Sequence, residues 1–186
     1  MPCVCPSWLS FILYNPVRKI FTDRQAVLDA CNITSESVVL EIGAGNGFFT
    51  ESIAERAKKV IAVELQQGMV RKLRKRTARF GEKMAIITGD IADCGIQDAI
   101  ADVCLLYYSF HEIARKDEAA RVIGSALKSG GSLAIFEPTI EVSGEDMQAA
   151  LAYFMQRGFI LERTGRSVFT RYARLSKPMI QDRNHK

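Results

Sequence analysis

The chain has 186 residues, 48% hydrophobic and 25% charged, with a formal net charge of +4. That is enough chain for one domain with its own core, and the balance excludes disordered and collagen-like polypeptides. No run approaches the ~18 apolar residues that a membrane-spanning helix needs, and Cys3, Cys5, Cys31, Cys94 and Cys104 have neither a disulfide-framework nor a zinc-site spacing, so the expectation is a cytoplasmic protein with no membrane contact and no metal.

The apolar run Trp8–Tyr14 has no basic residue before it and no small-residue cleavage site after it, so it does not read as a signal peptide. Residues 1–30 are expected to form a helical extension, two short helices broken at Pro16, with Tyr14–Arg18 placed either as a cover over a ligand or as packing for the first helix. Val38–Ile42 reads as a buried strand, after which Phe49, Ile53 and Ala57 recur at helical spacing. Val60–Val63 is a second strand, Met69, Leu73 and Phe80 mark the next helix, and Met84–Thr88 and Val103–Tyr107 are strands three and four. Ala119, Ile123, Ala126 and Leu127 share one helix face, which the Gly130-Gly131 pair is expected to end, and Leu133–Phe136 is strand five. Ser143 is an N-cap with Glu145 and Asp146 in the first turn, and Met147, Ala150, Leu151, Phe154 and Met155 line one face of the helix it opens. Phe159–Thr164 and Ser167–Leu175 close the chain as an antiparallel hairpin around Gly165. Strands alternating with helices make a parallel sheet covered on both faces. The expected organisation is a single domain over 1–186, with a core at 31–175 and a tail at 176–186.

The most informative stretch runs from Val38 to Thr50, where a strand enters the loop Gly43-Ala44-Gly45-Asn46-Gly47 and then a helix. Glycines there allow a sharp turn and close approach to a ligand, which at this edge of such a sheet is usually a nucleotide. The spacing is G-x-G-x-G rather than the dinucleotide G-x-G-x-x-G, and Glu41 stands two positions before the first glycine. S-adenosylmethionine has an ammonium group instead of a pyrophosphate, which suits Glu41. Glu64 ends the second strand, where a carboxylate can accept from both ribose hydroxyls, and Asp90 follows the third, placed for an adenine amino group with Ile91 beside the ring. Taken singly, the glycines read equally as a tight turn, Glu64 as a helix cap and Asp90 as an N-cap; three acceptors at successive strand ends favour the cofactor.

These segments resemble class I methyltransferases. Glu41–Gly47 is similar to the family's first motif, Glu64 to its second and Asp90 to its third, while Ala101–Ile113 resembles the fourth strand and its loop, and Ala126–Leu133 the lead into strand five. The resemblance covers roughly residues 22–175. It implies an α/β fold of three layers, a Rossmann-like seven-stranded, mostly parallel sheet with an antiparallel last strand. It also implies S-adenosylmethionine as cofactor, held by Glu41, Gly43, Ala44, Gly45, Gly47, Glu64, Leu65, Asp90, Ile91 and Tyr107. Phe21–Asp23 through Leu65 is similar to ribosomal RNA adenine dimethyltransferases. Leu106-Tyr107-Tyr108-Ser109, however, lacks the Asn and Pro those enzymes carry after strand four, and Phe110–Ile113 is more similar to small-molecule methyltransferases, including the quinone-biosynthesis type.

The expected partner is therefore a small-molecule methyl acceptor, with RNA as the alternative and a non-catalytic cofactor-binding module as a third reading. A nicotinamide dehydrogenase is disfavoured by the glycine spacing. In-line methyl transfer needs positioning and exclusion of water, and a base only if the nucleophile loses a proton. His111 and Tyr108 are the candidate catalytic residues, His111 because imidazole titrates near neutral pH; the competing reading is a histidine that orders its loop and tyrosines that only line the pocket. Glu137 ends strand five as either a substrate contact or a turn cap. Two basic sets, Arg71–Arg79 and Arg163, Arg166, Arg171 and Arg174, read as solvated faces unless they meet on one surface.

Overall fold

The computed structural model describes residues 23–179. Cys3, Cys5, Trp8–Tyr14, Pro16 and residues 180–186, with the expectations attached to them, lie outside the described residues. Strands β1 (Val38–Ile42), β2 (Lys59–Glu64), β3 (Met84–Thr88), β4 (Ala101–Tyr107), β5 (Leu127–Pro138), β6 (Ile160–Arg166) and β7 (Thr170–Ser176) form one sheet in the order β3-β2-β1-β4-β5-β7-β6. Pairing is parallel from β3 to β5, and β7 runs antiparallel to both β5 and β6. The mostly parallel α/β sheet expected from the alternation is present.

The central strands β1, β2, β4 and β5 are largely buried on both faces, and their side chains divide by the period of two, whereas β6 is mostly exposed. Leu40, Ile42, Cys104, Leu106, Leu133 and Ile135 join one core with α4 (Lys116–Ala126) and α5 (Gly144–Met155). Val39, Val103, Leu105, Ala134 and Phe136 join the other with α1 (Arg24–Ala30) and α2 (Phe48–Arg56). Helix α3 (Gln67–Thr77) packs through Leu73 and Met69 near β2 and β3. Asp23 caps α1 by accepting from the amides of Gln25 and Ala26, and Ser143 caps α5 in a reciprocal box with Asp146. Cys31, Cys94 and Cys104 are free thiols, and burial pushes the Cys31 thiol up to about 12.

Three local expectations give way to long-range pairing. Helix α4 ends at Ala126, and Leu127 opens β5 instead of completing a helical face. The Gly130-Gly131 pair lies inside that strand, where the Gly130 amide donates to the Lys177 carbonyl and the Lys177 amide to the Gly131 carbonyl. A Cβ on Gly131 would come within 2.9 Å of the Lys128 carbonyl, so close backbone packing rather than a helix stop selects glycine there. Phe80 sits beyond α3 in a 3₁₀ turn, Ala78–Lys83. The hairpin turns at 167–169 rather than at Gly165, which pairs with Tyr172 inside β6; the Ser167 hydroxyl accepts from the amides of Phe169 and Thr170 and fixes that turn.

Candidate functional site

From β1 the chain moves outward through β2 and β3, then returns to place β4 on β1's other side. Such a reversal leaves a crevice at the carboxyl ends of the strands. A cavity of about 240 Å³ lies there, walled by Gly43–Asn46, Glu64–Gln66, Asp90, Ile91 and Tyr107–Ser109, with Glu41 at its floor. Of the residues expected to hold the cofactor, Glu41, Gly43, Ala44, Gly45, Glu64, Leu65, Asp90, Ile91 and Tyr107 line this one cavity. Gly47 stands behind it as the N-cap of α2, whose positive end faces the loop.

The loop is held in a left-handed path, with φ of +71° at Gly43, +57° at Gly45 and +85° at Gly47. The three positions differ in what a side chain would meet. A Cβ on Gly43 would fall 2.5 Å from the Ser109 Cβ, and one on Gly47 2.9 Å from Leu73, so these two glycines serve packing. A Cβ on Gly45 would meet only the Gly43 carbonyl, at 4.0 Å, so this glycine faces open space. Two neighbours fasten the loop. The Gly45 amide donates to Glu64 Oε2 at 2.8 Å, while Glu64 Oε1 accepts from the Gln66 amide at 2.7 Å. Arg76 reaches from α3 and donates through Nη1 to both the carbonyl and the side-chain oxygen of Asn46, at 3.0 and 3.1 Å.

Glu41 is 3% exposed, and its Oε2 has no hydrogen-bond partner. Burial pushes its carboxyl up to about 8; the nearby Thr50 hydroxyl opposes the shift and the Glu64 charge adds to it. A buried acid with an empty acceptor oxygen at a cavity floor is a ready partner for a cationic ligand group. Asp90 accepts from the Ala92 amide at 2.9 Å and from Arg115 Nη2 at 3.0 Å, so Arg115 bridges Asp90 and Asp93 from the start of α4.

Tyr107 ends β4, Tyr108 follows it, and the two rings stack with centroids 4.4 Å apart; Tyr107 continues the row to Phe49 at 4.0 Å and Phe136 at 5.3 Å. Tyr108 lines the cavity with a left-handed backbone, φ +56°, uncommon for a bulky residue. His111 is not among the residues that line the cavity. Its Nδ1 meets Glu137 Oε2, its Nε2 lies 3.2 Å from Glu141 Oε2, and its amide donates to Glu137 Oε1. Burial works against the charged ring, but the hydrogen bond and charge of Glu137, with Glu112 and Glu141, outweigh it and hold the pKa above the ordinary value. Glu137, 1% exposed, is thus the buried counter-charge of His111.

Sequence reasoning passed over Asn46, Arg76, Ser109, Met69 and Glu112. Ser109 donates from its hydroxyl to the Ile42 carbonyl at 2.8 Å and closes the space behind Gly43. Arg76 was hidden in a basic run, although its place three residues after the buried Leu73 puts it on the helix edge facing the loop. The two basic sets lie apart. Helix α3 covers the β3 edge and the hairpin forms the β6 edge, six strand spacings or about 29 Å away. Arg76 and Arg79 are already bound to Asn46 and to Glu51 and Glu55, and Arg174 to Glu162 and the Ala30 carbonyl. Among the described residues no helix is long and apolar enough to cross a membrane, and no group of three His, Cys, Asp or Glu could hold a metal ion.

Residues 40–135, just over half of the chain, match the family described as Methyltransferase domain. An uncharacterized methyltransferase of Geobacillus sp. (strain WCH70) is 28% identical over 164 residues, 86% of this chain and 75% of that protein. The chain spans 65% to 75% of the length of the four curated relatives that it matches over most of its own. The ribosomal RNA small subunit methyltransferase A of Staphylococcus carnosus is 33% identical over 76 residues, 41% of this chain and 25% of that protein. In fold, a SAM-dependent methyltransferase from Aquifex aeolicus superposes with a TM-score of 0.83 at 18% identity, over 94% of this chain and 100% of that one.

Proposed function

This chain belongs to the methyltransferase domain family and is an S-adenosylmethionine-dependent enzyme; from that premise we propose that its methyl acceptor is a small molecule, bound between the Tyr107-Tyr108 end of the cavity and the solvent. The cavity's residues fit the cofactor. The unpartnered Glu41 oxygen suits the ammonium, the N-terminus of α2 the carboxylate, Glu64 the ribose hydroxyls and Asp90 the adenine amino group. The open space at Gly45 leaves room for the ligand against the backbone. When bound, the cofactor supplies a sulfonium methyl and its own leaving group.

The chain's residues supply position. The tyrosine stack and Phe49 wall the end of the cavity next to β4 and exclude water there. His111 is a positioning residue in this reading. Glu137 raises its pKa and it lies between Glu137 and Glu141, so it ties the loop after β4 to the end of β5. Transfer then suits a nucleophile that needs no deprotonation, or one ionised before it binds.

One observation carries the small-molecule reading: the charged side chains lining the cavity are carboxylates, Glu41, Glu64, Asp90 and Glu112, and the other lining groups are neutral. The nearby cations are engaged, Lys116 on the carbonyls of His111 and Ile113 and Arg115 on Asp90 and Asp93. A phosphate backbone needs free basic groups at the entrance. The likeness to the ribosomal RNA methyltransferase favours RNA as a second reading, but it covers 41% of the chain and the basic sets sit at opposite sheet edges. The test is transfer of labelled methyl into a metabolite panel and into total RNA. Label in metabolites is expected; label in RNA alone would overturn the reading.

A further inference from the structure

We propose that Ile140, Val168 and Phe169 form an acceptor-binding rim continuous with the cofactor cavity, and that it takes the apolar ring or chain of the methyl acceptor. This rests on the small-molecule reading above and names the chemistry of that molecule.

Hairpin tips are ordinarily polar, because a turn is solvated on most sides. Here the turn between β6 and β7 carries Val168, 78% exposed, and Phe169, 65% exposed, and the loop from β5 to α5 carries Ile140, 85% exposed. Seven large apolar side chains are exposed among the described residues, and single ones need no explanation. These three are held together by design of the backbone. The Thr139 amide donates to the Phe169 carbonyl at 3.1 Å, and the Thr139 hydroxyl to the Val168 carbonyl at 2.6 Å. Two loops 29 residues apart in sequence are thereby fastened into one surface.

That surface is joined to the cavity by Tyr108. Its hydroxyl donates to the Phe169 carbonyl at 3.2 Å and shares a hydrogen bond with the Thr170 hydroxyl, while its ring stacks on Tyr107 inside. The left-handed backbone of Tyr108 costs energy that this arrangement must offset, and such strain collects where a side chain has to be aimed. An apolar path therefore leads from Phe49 and Tyr107 through Tyr108 to the hairpin tip. An acceptor whose nucleophile reaches the cavity past Tyr108 leaves its remaining body on this rim. Glu141, beside Ile140 and in contact with His111, adds negative charge, so the rim suits a neutral or cationic apolar molecule.

The test uses the full chain saturated with S-adenosylhomocysteine and a neutral apolar dye, N-phenyl-1-naphthylamine, displaced by hexanol, octanol or decanol. In the wild type, displacement should strengthen about three- to fourfold per added methylene. In the Val168→Ser, Phe169→Ser double variant, dye affinity should fall at least about tenfold, the scale of losing a buried phenyl ring. Affinity for S-adenosylhomocysteine and the melting temperature should hold, since both side chains are exposed. Unchanged dye affinity in the variant would overturn the proposal. So would a shift of the emission of Trp8, the single tryptophan of the chain, on making the variant without any ligand, because the rim would then be covered by the chain's own N-terminal segment. Ile140→Ser gives an independent copy of the measurement if the double variant folds poorly. The dye readout does not depend on methyl transfer, so labelling of RNA alone would sink the small-molecule reading while leaving the dye result separately legible.

Discussion

Replacing Glu41 by Gln should stabilise the ligand-free protein and weaken its hold on the cofactor. The carboxyl is buried, one oxygen has no partner, and its pKa is pushed up from 4.5 to about 8. In the unfolded chain it ionises at its ordinary value, so between those two pH values the folded state holds a proton that the unfolded state has lost. Stability therefore falls as pH rises through that window and levels off above it. At 1.36 kcal/mol per unit, the roughly 3.5-unit difference amounts to about 5 kcal/mol above pH 8 and about 3 kcal/mol at pH 7. Both are ceilings, because the interior relaxes around a charge. Gln copies the neutral acid in shape and does not titrate. Urea unfolding of wild type and Glu41→Gln should coincide near pH 4.5 and separate steadily toward pH 9, the variant being the more stable. Calorimetry should show the reverse for ligand, with S-adenosylmethionine bound more weakly by the variant and wild-type binding releasing a proton at pH 7. A variant less stable than wild type at pH 9 would mean that Glu41 is ionised and paired in the fold, and the argument for a waiting cation partner would fail.

The remaining expectations separate packing from binding. Gly43→Ala, with its Cβ 2.5 Å from Ser109, should lower the urea midpoint. Gly45→Val should instead leave the fold nearly intact beyond its backbone strain and abolish calorimetric binding of the cofactor. Glu64→Gln should cost about 1–3 kcal/mol of cofactor affinity, the scale of hydrogen bonds to a charged group; an unchanged Kd would assign the ribose to another residue. Arg76→Met should raise the cofactor Kd about tenfold through the released Asn46, with Arg76→Lys recovering part of it. His111→Ala should destabilise most below pH 6.5 and progressively less as the pH rises through the raised pKa, because a histidine held charged by its partners loses that stabilisation on deprotonation. A rate per folded molecule reduced a hundredfold in the same variant would restore it as a base.

The strands and the glycine loop were legible because their signals are local and strong. A parallel strand buried on both faces is a continuous apolar run, as Val60–Val63 shows, and a loop that must turn left-handed in front of a ligand has little choice but glycine. What escaped was decided by partners far along the chain. The Gly130-Gly131 pair obeys Lys177, 47 and 46 residues away, rather than the helix before it. His111 follows the tyrosines closely in sequence, yet its ring pairs with Glu137, 26 residues on, which no local pattern announces. The hairpin turn was misplaced on glycine because the Ser167 side chain does the work glycine usually does. Arg76 was lost among other bases, since composition cannot tell which cation in a run finds a carbonyl.

The exceptions to local rules are concentrated in one place. Tyr108 adopts a left-handed backbone that a bulky residue rarely accepts, whereas the other two such non-glycine positions among the described residues are Asn32, a residue type that tolerates it, and Ala99 in an exposed loop. The buried side-chain atoms without a partner among the described residues are Glu41 Oε2, in the cavity wall, and Thr50 Oγ1, on α2 beside Glu41. The cluster of exposed apolar side chains fastened by backbone hydrogen bonds is reached through Tyr108. Elsewhere the described residues cap α1 and α5, pair the strands and fill both cores. A fold that satisfies its polar groups everywhere else has no packing reason to leave an acid unpaired, a tyrosine strained and a hairpin tip apolar along a single path from β1 to the solvent. The two proposed ligands account for all three together: a cation that completes Glu41 within, and an apolar body that covers the rim outside.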